Sequence, residues 1–210
     1  PDELDIVEAS TVISGLTMAW QVLVNCAQVQ ANDWVLIHAI GSGTGIMSVQ
    51  IAKYLGAQVI GTASTNEKLE WAKSYGLDHG INYTNENFVE EVQRITDGQG
   101  VSVVVDGMGG DILLKSLGCV KPYGRIVNFG RASAGRSVEI TLPSLWGKNV
   151  IIQGAGSGGT TRVQCLELLE LCGQGILKPT VDRTWSLKDA AEAHRYIESR
   201  QVKGRVAITM

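Results

Sequence analysis

The chain has 210 residues, 44% of them hydrophobic and 19% charged, the balance of an ordinary globular protein with enough apolar surface for one substantial core. A formal net charge of -3 with no basic run excludes an electrostatic footprint for nucleic acid or for an anionic membrane surface, so small molecules are the expected partners. Cys26, Cys119, Cys165 and Cys172 form no CxxC pair, which excludes a zinc ribbon or dithiol redox motif and leaves buried thiols in a reducing cytoplasm.

No apolar stretch reads as reaching the roughly 18 residues of a membrane span, and no signal peptide opens the chain. The opening Pro1-Asp2-Glu3-Leu4, without an initiator Met, reads as a segment cut from a longer polypeptide. Thr17 is placed to N-cap a helix running to Asn25. Trp34 to Ala39 is a short apolar run ending at glycines, which predicts a buried strand. Glycines 41, 43 and 45 follow, and then Met47, Ile51 and Leu55 recur at helical spacing before Gly56 at a C-terminal cap position.

The alternation repeats. Gln58 to Thr62 predicts a strand, Glu67 to Tyr75 a helix stopped by Gly76, and Gly80 to Tyr83 a short third strand. Asn85 is placed to cap a helix carrying Phe88, Val92 and Ile95, and Val101 to Val105 is a β-branched run of the fully buried type. Arg125 to Phe129 and Val150 to Gln153 supply a fifth and a sixth strand. The fold class predicted is α/β, with a doubly wound six-stranded parallel sheet. Beyond about Gly154 the pattern changes to a helix from Arg162 to Cys172, a strand from Val181 to Trp185, a helix capped by Ser186 and a last strand from Arg205 to Thr209. This divides the chain into residues 1–154 and 155–210.

The loop His38-Ala39-Ile40-Gly41-Ser42-Gly43-Thr44-Gly45 lies between the first strand and its helix. Glycines there let the backbone turn sharply and let a pyrophosphate approach the free N–H groups at the positive end of a helix. Ile46 stands where the third glycine of GxGxxG would fall, so the pattern is weak by itself. Its place after the first strand of a Rossmann alternation is where a dinucleotide binds. About 20 residues further on, NAD-binding chains carry an acid for the ribose hydroxyls. Here that place reads Gly61-Thr62-Ala63-Ser64-Thr65, with no acid before Glu67. Hydroxyls with Lys68 suit the 2′-phosphate of NADP(H), which a carboxylate would repel. Ser64 also reads as an N-cap with Glu67 as its reciprocal partner. The missing acid counts against an S-adenosylmethionine-dependent methyltransferase.

The run VLIHAIGSGTGIMSVQIAKYLGAQVIGTASTNEKLEWAKSYGLDHGINYTNENF, followed by GVSVVVDGMGGD and GRIVNFG, resembles the quinone oxidoreductase, or zeta-crystallin type, branch of the medium-chain dehydrogenase/reductases. The likeness covers nearly the whole chain. It implies a Rossmann domain followed by a C-terminal segment of a GroES-like catalytic domain whose N-terminal part is absent here, and NADPH-dependent reduction of quinones or other activated alkenes. By that likeness Gly41, Ser42, Gly43, Thr44 and Gly45 cradle the pyrophosphate. Ser64, Lys68 and Tyr83 meet the 2′-phosphate, while Phe129, Gly130 and Thr17 lie near the nicotinamide. The family loop more often reads AAGGVG, so Ser42 stands at a usual glycine. Ile13 stands where zinc alcohol dehydrogenases carry a cysteine ligand, and isoleucine cannot coordinate a metal.

No catalytic residue is named from these motifs, because the cofactor carries the hydride and the protein supplies position and electrostatics. Asp106 reads as a strand-end residue and His38 as a hydrogen-bonded core side chain. His79, in a loop, and His194, in a helix, have no partner pattern. Two other classes stay open: a noncatalytic NADPH-binding sensor or structural protein with the same fold, and a zinc-dependent alcohol dehydrogenase. The substrate expected is a quinone, an enone or a related carbonyl. A homodimer is expected through the sixth strand, and the chain by itself is expected to lack turnover.

Overall fold

A computed structural model describes residues 4–133 and 137–210; the Pro1-Asp2-Glu3 opening lies outside the described residues. Six strands form one parallel sheet: β1 (Trp34–Ile37), β2 (Gln58–Ala63), β3 (His79–Asn82), β4 (Val101–Asp106), β5 (Val120–Asn128) and β6 (Ile151–Gly154). Their order is β3-β2-β1-β4-β5-β6. The chain leaves β1 first toward one edge and later, from β4 on, toward the other. That reversal opens a crevice at the carboxyl ends of the central strands. The central strands are apolar on both faces, and Val35, Leu36, Ile37, Val59, Ile60, Val104 and Val105 are buried, as a sheet covered by helices on both sides requires.

The first helix, α1 (Ile6–Cys26), is longer than its N-terminal sequence suggests. It starts at Asp5, whose Oδ1 accepts from Val7 N at 2.8 Å, so Thr17 lies inside the helix and does not cap it. By length and composition α1 is apolar enough to cross a membrane, which corrects the expectation that no such stretch exists. Ser14, Gly15, Thr17, Gln21 and Asn25 interrupt the run and conceal it. The structure packs Val12, Leu16, Ala19, Val22, Leu23 and Cys26 into the main core. Burying each Leu there contributes about 1.5–3 kcal/mol. Two stretches of α1, Val12–Leu16 and Gln21–Cys26, have wide π-type turns, a geometry found often beside functional sites.

The remaining helices are α2 (Gly43–Tyr54), α3 (Asn66–Lys73), α4 (Phe88–Ile95), α5 (Gly110–Ser116), α6 (Leu142–Trp146), α7 (Arg162–Gly173) and α8 (Ala190–Glu198). Asn87, rather than Asn85, caps α4, its side chain accepting from Val89 N at 3.1 Å; Asn85 is held by its own backbone bond to Asn82 O. His79 begins β3 instead of lying in a loop, with its ring 5.6 Å from that of Trp34. β5 begins at Val120, earlier than Arg125. Its register against β4 shifts between Val101 and Val103, where Tyr123 takes a positive φ of 62°. The Pro122-Tyr123-Gly124 turn signal hides a strand that bulges and continues.

Beyond β6, α7 opens with a capping box between Thr161 and Gln164, and its Leu168 and Cys172 enter the main core. Two further strands, β7 (Val181–Ser186) and β8 (Arg205–Thr209), pair with each other in parallel as a separate sheet. Ser186 leads into a short turn of 3₁₀ helix, Leu187–Asp189, before α8.

Candidate functional site

The glycine loop turns immediately after β1. Ala39 takes a positive φ of 53°, Ser42 N donates to Ala39 O at 3.0 Å, and α2 starts at Gly43. Ser42 caps α2 through Oγ, which accepts from Gly45 N at 3.0 Å. The first turn of α2 thus presents the positive end of its dipole and N–H groups that no helix carbonyl reaches. Gly45 is required by contact: a Cβ there would collide with the Ala39 carbonyl oxygen and stand 2.8 Å from Ile40 Cα. Both are backbone atoms of the same tight loop.

The end of the chain closes over this loop. Gly204 N donates to Gly41 O at 2.8 Å, and Gly204 forms an isolated parallel bridge with Ser42. The next residue, Arg205, sends its side chain between α1 and α2. A Cβ on Gly15 would lie 2.9 Å from Arg205 Nη2, and one on Gly43 would lie 2.6 Å from Arg205 Cδ. Among the described residues Arg205 Nε is buried without a hydrogen-bond partner, and burial lowers the guanidinium pKa from its usual value. An unpaired buried guanidinium N–H is costly, and such an atom at a functional cleft calls for a ligand. A small-residue cradle, a helix N-terminus and an arginine whose Nε has no protein partner together fit a phosphate-bearing group.

Lys68 extends from α3 over the same loop, its Cδ 2.8 Å from where a Cβ on Gly41 would be. Its Nζ donates to Arg200 O at 2.5 Å. Desolvation is the largest cause lowering the Lys68 pKa, opposed by the charges of Asp182 and Glu67. Lys203 Nζ pairs with Glu67 Oε1 at 2.8 Å. Lys68, Lys203 and Arg205 therefore flank one loop. Only the first is legible in the sequence: Arg205 reads as the start of a strand, and nothing local to GRVAI places its side chain against residues 15 and 43.

Ser64 follows β2 and is half-buried. Thr65, in extended conformation, caps α3 by accepting from Lys68 N at 3.3 Å, and Glu67 turns to Lys203. The capping box expected of Ser64 and Glu67 is therefore not formed, and the Ser64 hydroxyl is not spent on the helix end. Tyr83 N donates to Ala63 O at 3.2 Å, which sets Tyr83 beside the Ala63-Ser64 segment; its side chain is exposed.

Phe129 and Gly130 line a cavity of about 550 Å³ with Asn128, Gly109, Leu113 and Ala155, at the carboxyl ends of β4, β5 and β6. Gly130 packs so closely that a Cβ would lie 2.6 Å from Gly107 O. Asp106 ties the two turns of this floor together. Its carboxylate accepts from Met108 N at 2.8 Å, Gly109 N at 3.0 Å and Asn128 Nδ2 at 2.8 Å, while Asn128 Nδ2 also donates to Gly130 O at 2.9 Å. With its acceptor capacity used in this way, Asp106 is a structural strand-end residue. The glycine loop and Thr17 do not line this cavity. The Thr17 hydroxyl donates to Ile13 O, and its carbonyl accepts from Thr160 Oγ1 at 3.0 Å.

Residues 43–172 match the family model described as zinc-binding dehydrogenase. A 2-haloacrylate reductase of Burkholderia sp. is 37% identical over 99% of this chain and 65% of its own length. A quinone oxidoreductase of Pseudomonas aeruginosa is 32% identical over 99% of this chain and 66% of its own. The chain thus spans less than two thirds of the length of these relatives. Among solved structures, an NAD-dependent alcohol dehydrogenase superposes with a TM-score of 0.92 at 34% identity, covering 100% of this chain and 60% of that one. A mycobacterial protein solved with NADPH superposes with a TM-score of 0.92 at 28% identity, covering 100% and 66%.

Proposed function

The chain belongs to the medium-chain dehydrogenase/reductases, in their quinone oxidoreductase-like branch, and from that premise we propose that it is the NADPH-binding part of a zinc-free reductase of quinones or activated alkenes. The observation that carries the reading is the orphaned Arg205 Nε buried against Gly43. In this reading Gly41, Ser42, Gly43, Thr44 and Gly45 hold the pyrophosphate with Arg205. Ser64, Lys68 and Tyr83, joined by Lys203, hold the 2′-phosphate. Phe129 and Gly130 border the nicotinamide from the cavity, and Thr17 borders it from α1, outside that cavity.

When bound, the cofactor supplies the hydride and its electron pair. The protein's own residues supply charge and position: Arg205 offsets a pyrophosphate charge that would otherwise be held by helix N–H groups alone, and Gly107, where a Cβ would lie 2.7 Å from Phe129 Cζ, lets the Phe129 ring sit in the cavity wall. Residues 1–154 form the body of the cofactor-binding unit, and 155–210 return to the catalytic unit while lending the cofactor site Lys203 and Arg205. The name 2-haloacrylate reductase implies an electron-poor alkene as substrate of that relative, and a quinone is likewise a conjugated hydride acceptor. NADPH is favoured over NADH because Gly61 to Thr65 contains no carboxylate. The zinc-free reading rests on Ile13, and four free thiols suit a reducing cytoplasm.

The test is turnover of a quinone and an enone by the full-length protein in the presence of a chelator. Replacing Lys68 by Ala removes a charge-assisted contact and should raise the KM for NADPH by about 10- to 100-fold, equivalent to roughly 1.5–3 kcal/mol, with the KM for NADH nearly unchanged. Equal losses for both cofactors refute the 2′-phosphate assignment, and activity abolished by the chelator refutes the zinc-free one.

We also propose a homodimer. Among the described residues β6 has a neighbour on one side only, and Ile151 on it is 45% exposed, a β-branched edge suited to strand pairing across a two-fold axis. Sedimentation at micromolar concentration should give the mass of two chains, and Ile151→Lys should give one. A monomeric wild-type protein contradicts the proposal.

A further inference from the structure

His38 is the one histidine set between the two halves of the proposed cofactor cleft, and nothing in the proposed chemistry uses it. It follows β1 and opens the glycine loop, its N donating to Val105 O at 3.1 Å. The side chain is 4% exposed. Nε2 lies 2.9 Å from Ser116 Oγ, and Nδ1 lies 3.0 Å from Thr62 Oγ1. Ser116 spends its own proton on Ile112 O at 2.7 Å, so it accepts from His38 Nε2–H. That tautomer leaves Nδ1 to accept from the Thr62 hydroxyl. Desolvation lowers the His38 pKa to about 4, against an opposing pull from Asp106, so the ring is neutral near pH 7. The Phe88 ring, 5.0 Å away and nearly perpendicular, fixes it from the side of α4.

Thr62 is the partner that matters. Its carbonyl accepts from Ile40 N at 3.1 Å, while its hydroxyl donates to His38. Residues 38 and 40 of the glycine loop are thus tied to one residue of β2 by its main chain and its side chain together. Gly41 lies one residue after Ile40, and Ser64 two residues after Thr62.

We propose that His38 is a positioning residue that holds the glycine loop and the end of β2 at a fixed separation, so that a dinucleotide spanning both is gripped at once. The inference rests on the NADPH reading above and extends it from the residues that touch the cofactor to one that sets the distance between them. A histidine serving stability alone would weaken every ligand in step with the loss of folded protein. A strut weakens only ligands long enough to reach both ends.

The experiment uses the full-length protein and measures Kd for NADPH and for adenosine 2′-monophosphate, which reaches only the β2 end. His38→Phe and Thr62→Val should each raise the NADPH Kd about tenfold, the equivalent of one hydrogen bond. The double variant should lose no more than either single one, since both remove the same link. Adenosine 2′-monophosphate should bind all of them as it binds wild type. His38→Asn, whose Oδ1 stands near the Nδ1 position and accepts from Thr62, should restore NADPH affinity. Unchanged NADPH binding, additive losses, or an equal loss of adenosine 2′-monophosphate overturns the inference. Should His38→Phe fail to fold, Thr62→Val and His38→Asn decide it by the same criteria. A wild-type protein that binds no NADPH overturns the functional reading as well, whereas normal wild-type binding with unaffected variants overturns this inference alone.

Discussion

Replacing Gly45 by Ala should abolish most NADPH binding, raising Kd by at least about 100-fold, or roughly 2.7 kcal/mol. The added methyl has no side chain to push aside: it meets the Ala39 carbonyl oxygen and the Ile40 Cα. Overpacking against such atoms typically costs about 1–3 kcal/mol even where side chains can adjust. Here relief requires the loop from Ala39 to Ser42 to move, and Ser42 Oγ then loses its bond from Gly45 N. The pyrophosphate seat and the helix cap are displaced together. Calorimetric titration with NADPH checks this, with circular dichroism to show that the sheet persists. A Kd within a factor of two of wild type in a folded variant would falsify the pyrophosphate assignment.

The second large effect has opposite signs for binding and for stability. Arg205→Met keeps an apolar stem between Gly15 and Gly43 but removes the guanidinium. Both NADPH and NADH should lose about 10- to 100-fold in affinity, the equivalent of a charge-assisted contact of roughly 1.5–3 kcal/mol, because both carry the pyrophosphate. The same change removes a buried N–H without a partner, whose desolvation penalty is about 1–3 kcal/mol. The cofactor-free protein should therefore melt higher, by about 2–4 °C for each kcal/mol gained. Thermal melts with and without NADPH test both halves. A lower Tm in the absence of cofactor would show that Arg205 is structural, and unchanged affinity for both cofactors would remove it from the site. Lys68→Ala, by contrast, separates the two cofactors, so the pair of variants distinguishes the pyrophosphate seat from the 2′-phosphate seat.

The sheet was legible because its strands are short β-branched runs punctuated by glycine. VSVVV and WVLI have no other economical reading in a chain of this alternation, and the observed strands differ from the expected ones mainly at their ends. Where the reading failed, the deciding force was not local. Thr65 took the cap from Ser64 because its backbone is the extended residue before α3. β5 runs back to Val120 because a bulge at Tyr123 interrupts it without ending it. The polar residues of α1 put its expected start at Thr17, although its buried face runs on from Val12.

The candidate site divides the same way. Glycine spacing and the absence of an acid are written in consecutive residues. Arg205 is meaningful only through Gly15 and Gly43, and Lys203 only through Glu67, contacts that join opposite ends of the chain. Asn128, which ties Asp106 to Gly130, carries no sequence signal beyond its place at the end of a strand.

The hydrogen bond from Gly204 to Gly41 also makes the pyrophosphate seat depend on a clasp between residues far apart in sequence. Loop-closure entropy grows only slowly with the length of the closed segment, so an insertion in a surface loop between the two residues weakens the clasp little. Local opening around Lys203 acts differently, because it takes the bond to Gly41 and the neighbouring Arg205 away from the glycine loop in one event.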